Sequence, residues 1–192
     1  ARAAIDQPLW EAQNSVRILA NGFPSAIRLS ADEFEAWAKN EAGRRLAAHP
    51  GQFDIYFGFT AKNARKLFGA PGMVYVLTKD PARIGTPRFH DPETFLAKKY
   101  PDPAYLENRE ERWYHEALDR QDFYFSPLYF DQTYLKTIML SITQAVHLPR
   151  TGEVQGIVGA DLSARSFADV VGRLVQGRTG GVVVTDERGF PI

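Results

Sequence analysis

The chain has 192 residues, 44% of them hydrophobic, which suits one sizeable domain or one domain and part of a second. Its 23 basic and 23 acidic residues cancel and form no long basic run, which argues against a nucleic-acid footprint. It has no cysteine, so disulfides and thiol catalysis are excluded; no stretch of about 18 apolar residues reads as a membrane span, and no signal peptide is visible.

Leu9, Val16, Leu19 and Ala20 recur at helical spacing. They predict a helix over the first ~20 residues, with Pro8 near its first turn and Asn21-Gly22 as its stop. Ser30-Ala31-Asp32-Glu33 is a capping box, in which the serine oxygen accepts from the Glu33 amide and the glutamate reaches back. The helix it opens runs through Phe34, Trp37 and Leu46 to about His49-Pro50-Gly51. The pattern then changes. Residues 53–60 (FDIYFGFT) and 73–78 (MVYVLT) are aromatic and β-prone, with a Gly/Pro turn between them.

Residues 79–110 are rich in proline and charge and read as a long crossover. It is expected to carry a short helix over Pro92–Lys99, capped by Asp91 with Pro92 at its first position. A further helix is predicted over Glu110–Asp119. Residues 137–148 form the clearest strand: Ile138, Leu140, Ile142, Val146 and Leu148 alternate with Thr137, Ser141, Thr143 and His147, a period of two with one face buried. The loop at 149–153 returns the chain into a hairpin strand at 154–162. Ser163 is placed as the cap of another helix, with the stripe Phe167, Val170, Val171, Leu174 and Val175. A Gly-rich stop then precedes a strand at 182–185. Neighbouring strands that pair in sequence imply an antiparallel sheet with helices at one side, an α+β fold.

The order Trp113-Tyr114, then Ser126-Pro127-Leu128-Tyr129, then residues 156–163 (GIVGADLS) resembles the double Cache sensor domains of bacterial receptors. The resemblance implies long N-terminal helices (residues 1–50) and a membrane-distal PAS-like ligand-binding module (51–162). A linking helix (163–180) and the start of a truncated membrane-proximal module (181–192) follow. On this reading the chain is an excised piece of a transmembrane receptor. Its location is periplasmic or extracellular, membrane helices flank it, and an output such as a histidine kinase, a chemotaxis signalling region or a nucleotide cyclase lies outside it. A homodimer through the N-terminal helices is also implied; no cofactor is.

Relatives of this type grip an amino acid with an arginine two residues before the tryptophan, the Trp-Tyr pair, the tyrosine of the S-P-x-Y stretch and the aspartate of the G-V-x-G-x-D strand. Trp113, Tyr114, Tyr129 and Asp161 match these positions, but Glu111 stands where the arginine belongs. The neighbouring Arg112 is one position off, a turn of about 100° on a helix. A glutamate repels the carboxylate that an arginine would clamp through paired N–H···O bonds. Acids beside aromatic faces favour a cation instead. The expected ligand is therefore a small molecule, an amine or an amino-acid-like one, held by Trp113, Tyr114, Tyr129, Asp161, Glu111, Arg112 and Tyr75.

Each candidate also has a purely structural reading. Trp113 and Tyr114 fit as rings packed on the sheet, and Tyr129 as a core ring with a satisfied hydroxyl. Asp161 would suit the start of the next helix, Glu111 a solvated helix face, and Tyr56 and Tyr75 the core. The other class of function open to the chain is a structural or dimerisation module that responds to a partner protein.

Enzymatic signatures are lacking. There is no G-x-S-x-G elbow and no P-loop. The G-x-x-x-G-x-x-G over 152–159 falls in a hairpin rather than between a strand and a helix. His49, His90, His115 and His147 are scattered and form no metal-binding pair.

Overall fold

A computed structural model describes residues 2–120, 122–130 and 138–163, and side chains from residue 7 onward. The element order is α1 (Arg2–Ala26), α2 (Ala31–Ala48), β1 (Gln52–Phe59), α3 (Ala61–Phe68), β2 (Val74–Thr78), β3 (Leu96–Tyr100), α4 (Arg112–Leu118), β4 (Tyr124–Phe125), β5 (Tyr129–Phe130), β6 (Ile138–His147) and β7 (Val154–Ser163). The strands form one sheet in the order β3-β2-β1-β7-β6-β4, with β5 also paired to β6, and every pairing is antiparallel. This is the expected α+β class. The predicted helix after Ser163 and the predicted strand at 182–185 lie outside the described residues.

One face of the sheet is covered by α1 and α2. α1 buries Ala12, Val16, Leu19, Ala20 and Phe23, a stripe at the 3.6-residue period. Phe34 of α2 lies at the centre of this layer. Its ring meets Phe59 at 5.2 Å, Phe57 and Tyr75 at 5.7 Å each, and Trp37 at 5.8 Å. The capping box of α2 forms as predicted, with Ser30 Oγ accepting from Glu33 N and Ser30 N donating to Glu33 Oε2.

Several elements differ from the sequence reading. α1 begins at Arg2, so Pro8 lies within it, and it continues to Ala26, past Asn21-Gly22. Gly22 is a packing residue rather than a stop: a Cβ there would come within 3.0 Å of the Trp37 ring on α2. Between β1 and β2, where a turn was expected, stands the eight-residue α3. It is capped by Thr60, whose Oγ1 accepts from Asn63 N, and closed by Gly69 in the left-handed region at φ 69°.

The helix expected over Pro92–Lys99 is a single 3₁₀ turn, Pro92–Thr94, with Asp91 Oδ1 accepting from Glu93 N as its cap. Leu96–Tyr100 instead pairs with β2 as an edge strand, and its lysines suit that exposed position. β6 is buried on both faces, not one, since Ser141 and Thr143 are as buried as Ile142. The crossover and α4 cover the face that was expected to meet water.

Candidate functional site

Alternation along the central strands sends every second side chain away from the helices. Asp54 and Tyr56 of β1, Ser141 of β6 and Asp161 of β7 share that second face. Above it the crossover, α4 and the 124–130 segment border an open cavity of about 790 Å³. A space of this size suits a small-molecule ligand. Its wall includes Asp54, Tyr56, Val74, Tyr100, Tyr105, Trp113, Tyr124, Ser126, Tyr129, Met139, Ser141 and Asp161, with Asp102, Glu110, Glu111 and Arg112 on the crossover side.

Small residues make this face possible. Gly159, the cross-strand partner of Tyr56, lies directly under its ring, and a side chain there would occupy the ring's own space. Gly58 serves Trp113 in the same way, with only 3.1 Å from a built Cβ to the indole. The two rings then meet edge to face at 5.7 Å. The glycine of the G-V-x-G-x-D motif therefore has a physical reason: it lets an aromatic side chain lie flat on the sheet.

Two carboxylates form the floor. Asp54 and Asp161 are register partners on β1 and β7, and each is 7% exposed. Ser141 Oγ donates to Asp161 Oδ1 at 2.5 Å, and Tyr129 Oη lies 2.9 Å from the same serine oxygen. A serine has one proton, so the tyrosine is the donor in a chain that runs Tyr129 to Ser141 to Asp161. Burial, and next the Asp161 charge, holds the Tyr56 hydroxyl well above its ordinary pKa. Burial pushes Tyr105 up to about 12 and raises Tyr124 as well. These rings therefore present neutral hydroxyls.

On the opposite wall Trp113 Nε1 donates to Glu111 Oε2 at 2.6 Å. Arg112 also reaches the cavity, but its guanidinium contacts Glu116 at 3.2 Å and lies over the Tyr124 ring, 5.9 Å from the centroid. Among the described residues no group of three or more His, Asp or Glu is arranged to hold a metal ion.

Of the residues singled out in the sequence, Trp113, Tyr129, Asp161, Glu111 and Arg112 converge on this cavity. Two do not. Tyr114 is 3% exposed and packs behind the wall, its ring 4.8 Å from Tyr105. Tyr75 points to the helix layer, against Phe34, because it is one residue out of phase with Val74 on β2. Asp54 and Ser141 were not singled out. Asp54 had a signal, a charged residue inside an otherwise aromatic strand and in phase with Tyr56.

A family model described as "Methyl-accepting chemotaxis protein-like, first PDC sensor domain" matches residues 74–169, half of the chain. The match runs from β2 through the crossover and α4 to β7. The chain belongs to this family of sensor domains. Its fold recurs in the extracellular domain of soHK1S-Z6, described as a histidine kinase, at TM-score 0.66 and 14% identity over 88% of this chain and 58% of that one.

The fold also recurs in the ligand-binding domain of the Campylobacter jejuni chemoreceptor Tlp3. In complex with 4-methylisoleucine the match has TM-score 0.58 and 18% identity over 92% of this chain and 58% of that one. In complex with L-valine it has TM-score 0.56 and 19% identity over 92% and 59%. At these identities the likeness establishes the fold of the sensor domain, and the chain spans less than two thirds of those solved domains. No curated protein matches the chain. No helix among the described residues is long and apolar enough to cross a membrane.

Proposed function

We propose that this sensor domain reads a cationic amine in the cavity between its sheet and crossover, as the ligand-binding part of a receptor that signals across a membrane. The observation that carries the reading is the floor pair, Asp54 and Asp161. Two buried carboxylates on adjacent strands, roofed by tyrosine and tryptophan rings, are complementary to an ammonium group. Each charge-assisted hydrogen bond adds about 1.5–3 kcal/mol, and ring faces add about 0.5–2 kcal/mol. Among the described residues that line the cavity, the arginine, Arg112, is already engaged by Glu116 and by the Tyr124 ring.

Titration calorimetry of the chain with alkylamines, amino acids and alkyl carboxylates tests this. Amines are expected to bind, carboxylates are not, and Asp161→Asn should weaken the amines by at least about tenfold, the worth of one charge-assisted bond. An α-amino acid that binds more tightly than its decarboxylated amine, and loses that advantage in Arg112→Ala, would establish the amino-acid reading instead.

The receptor context is part of the proposal. It comprises a periplasmic or extracellular location, anchoring through helices outside this chain, residues 163–180 as the link to a proximal module, and pairing of two copies along α1. Trp10 and Ile18, 59% and 43% exposed on one face of α1, support that pairing. The rival module without a small-molecule ligand would have its rings packed shut, which a cavity of about 790 Å³ does not favour.

A further inference from the structure

Asp54 and Tyr56 face the cavity, and by alternation Gln52, two residues before Asp54 on the same strand, would face it too. It does not. The pairing of β1 with β7 steps from Gln52–Leu162 to Asp54–Asp161, so two residues of β1 answer one of β7. A bulge of this kind twists the strand and re-aims a side chain. Gln52 is thereby sent to the helix layer, where it is 1% exposed and its Nε2 donates to Ser15 Oγ of α1 at 3.0 Å.

That contact belongs to a closed polar circuit. Ser15, also buried, donates its own proton to Glu11 O at 2.9 Å. The Glu11 carboxylate lies 3.3 Å from Nδ1 of His49, the cap residue of α2. His49 O in turn accepts from Gln52 N at 3.1 Å. The circuit begins two residues from the cavity floor and reaches Glu11, next to the exposed Trp10. Its buried members have few alternatives: Gln52 Oε1 lacks a partner among the described residues, so losing Ser15 would strand the rest of the amide. A displacement of Gln52 is therefore passed on to α1 rather than absorbed.

From this geometry we propose that the bulge at Gln52–Asp54 and the Gln52–Ser15 bond are the relay through which occupancy of the cavity shifts α1. The proposal rests on the reading of the cavity as a ligand site and adds the route its signal takes. A ligand that displaces Asp54 displaces the bulge, and the circuit carries that movement to the helix that covers the other face of the sheet.

The test reads amide hydrogen exchange along α1 by mass spectrometry, in the chain, in Ser15→Ala/Gln52→Met and in Gln52→Met alone. The double change replaces both partners by apolar groups and strands neither, and the single one leaves Ser15 bonded to Glu11. Two triggers are applied: Asp54→Asn, which alters the floor without a ligand, and saturating pentylamine. Each is expected to change exchange between Glu11 and Leu19 by at least about twofold, the low end of coupling within one network. Exchange in α3, at the other end of β1, should stay unchanged, which together with the melting temperatures excludes general loosening. In both relay variants the α1 response should vanish, while pentylamine affinity stays within about twofold of the unmodified chain's. An α1 response that survives in the relay variants would overturn the proposal, and so would an α1 that answers neither trigger in the unmodified chain. Pentylamine that fails to bind overturns the amine reading alone, and the Asp54→Asn arm then decides the relay by itself.

Discussion

Lys79 follows β2, with its backbone N–H donating to Phe53 O, and its side chain is fully buried. Its ammonium donates to the carbonyls of His49 and Pro50, 3.2 Å each, just beyond the C-terminus of α2, and lies 5.5 Å from the Phe89 centroid. Burial lowers its pKa to about 7. Unfolded, the same lysine titrates near 10.4, so between these values the unfolded chain holds a proton that the folded one lacks. Stability then rises with pH across that window, and the cost of the buried charge is felt in full below it. The gain between pH 7 and pH 9 is expected to be about 2 kcal/mol, and Lys79→Met should abolish it. Urea unfolding at the two pH values checks this. An identical slope in the variant would mean that the lysine stays charged inside the fold.

At the scale of elements, the crossover is held down by one ring. The Tyr105 hydroxyl donates to Phe59 O at 2.5 Å, lies 2.9 Å from Met73 O, and accepts from Met73 N at 3.2 Å. It thus satisfies backbone groups at the ends of β1 and β2. Gly72 lets the crossover pass: a Cβ there would meet Asp102 O and Pro103 Cα at 2.6 Å. Tyr105→Phe removes the hydroxyl's bonds to Phe59 O and Met73 N, while Met73 O still accepts from Phe59 N, and is expected to cost about 1–3 kcal/mol, read by urea unfolding. Amine affinity should fall with it, because the cavity roof is tied to the sheet at this point. An unchanged affinity with lowered stability would separate the anchor from the site.

At the scale of the whole molecule, one sheet serves two layers. Asp161 faces the cavity, while its neighbours Ala160 and Leu162 are buried in the core shared with α1. A ligand that moves β7 is therefore one residue from the helix layer. Near the edge of β1 nearest Asp54, the register shifts between Gln52 and Asp54, and Gln52 Nε2 donates to Ser15 Oγ of α1 at 3.0 Å in a buried contact. Transmission needs the ligand to prefer one arrangement of these helices over another, not merely to bind. Binding itself has a global signature. An amine at 100 times its dissociation constant should add about 2.7 kcal/mol to the unfolding free energy. For a chain of this length that is a rise of roughly 5–10 °C in melting temperature. A tight calorimetric binding constant without such a rise would mean that the ligand binds the unfolded chain as well.

The sequence by itself determined those elements whose signals are local. The α2 capping box, the strand β6 and the hairpin to β7 each depend on residues a few positions apart, and each formed where it was read. The motif order around Trp113, Tyr129 and Asp161 likewise pointed to one family and to three residues that line one cavity. What failed was decided by neighbours distant in the chain. Leu96–Tyr100 became a strand because β2 offered it an open edge. Gly22 ended no helix because Trp37 needed its space. The buried second face of β6 exists only because the crossover folds back over it. The site shows the same division. Glu111 and Asp161 are 50 positions apart, and no periodicity can say that both acids border one cavity. Nor can local pattern say that Asp54 lies beside Asp161, since that depends on the register of two strands brought together by tertiary packing.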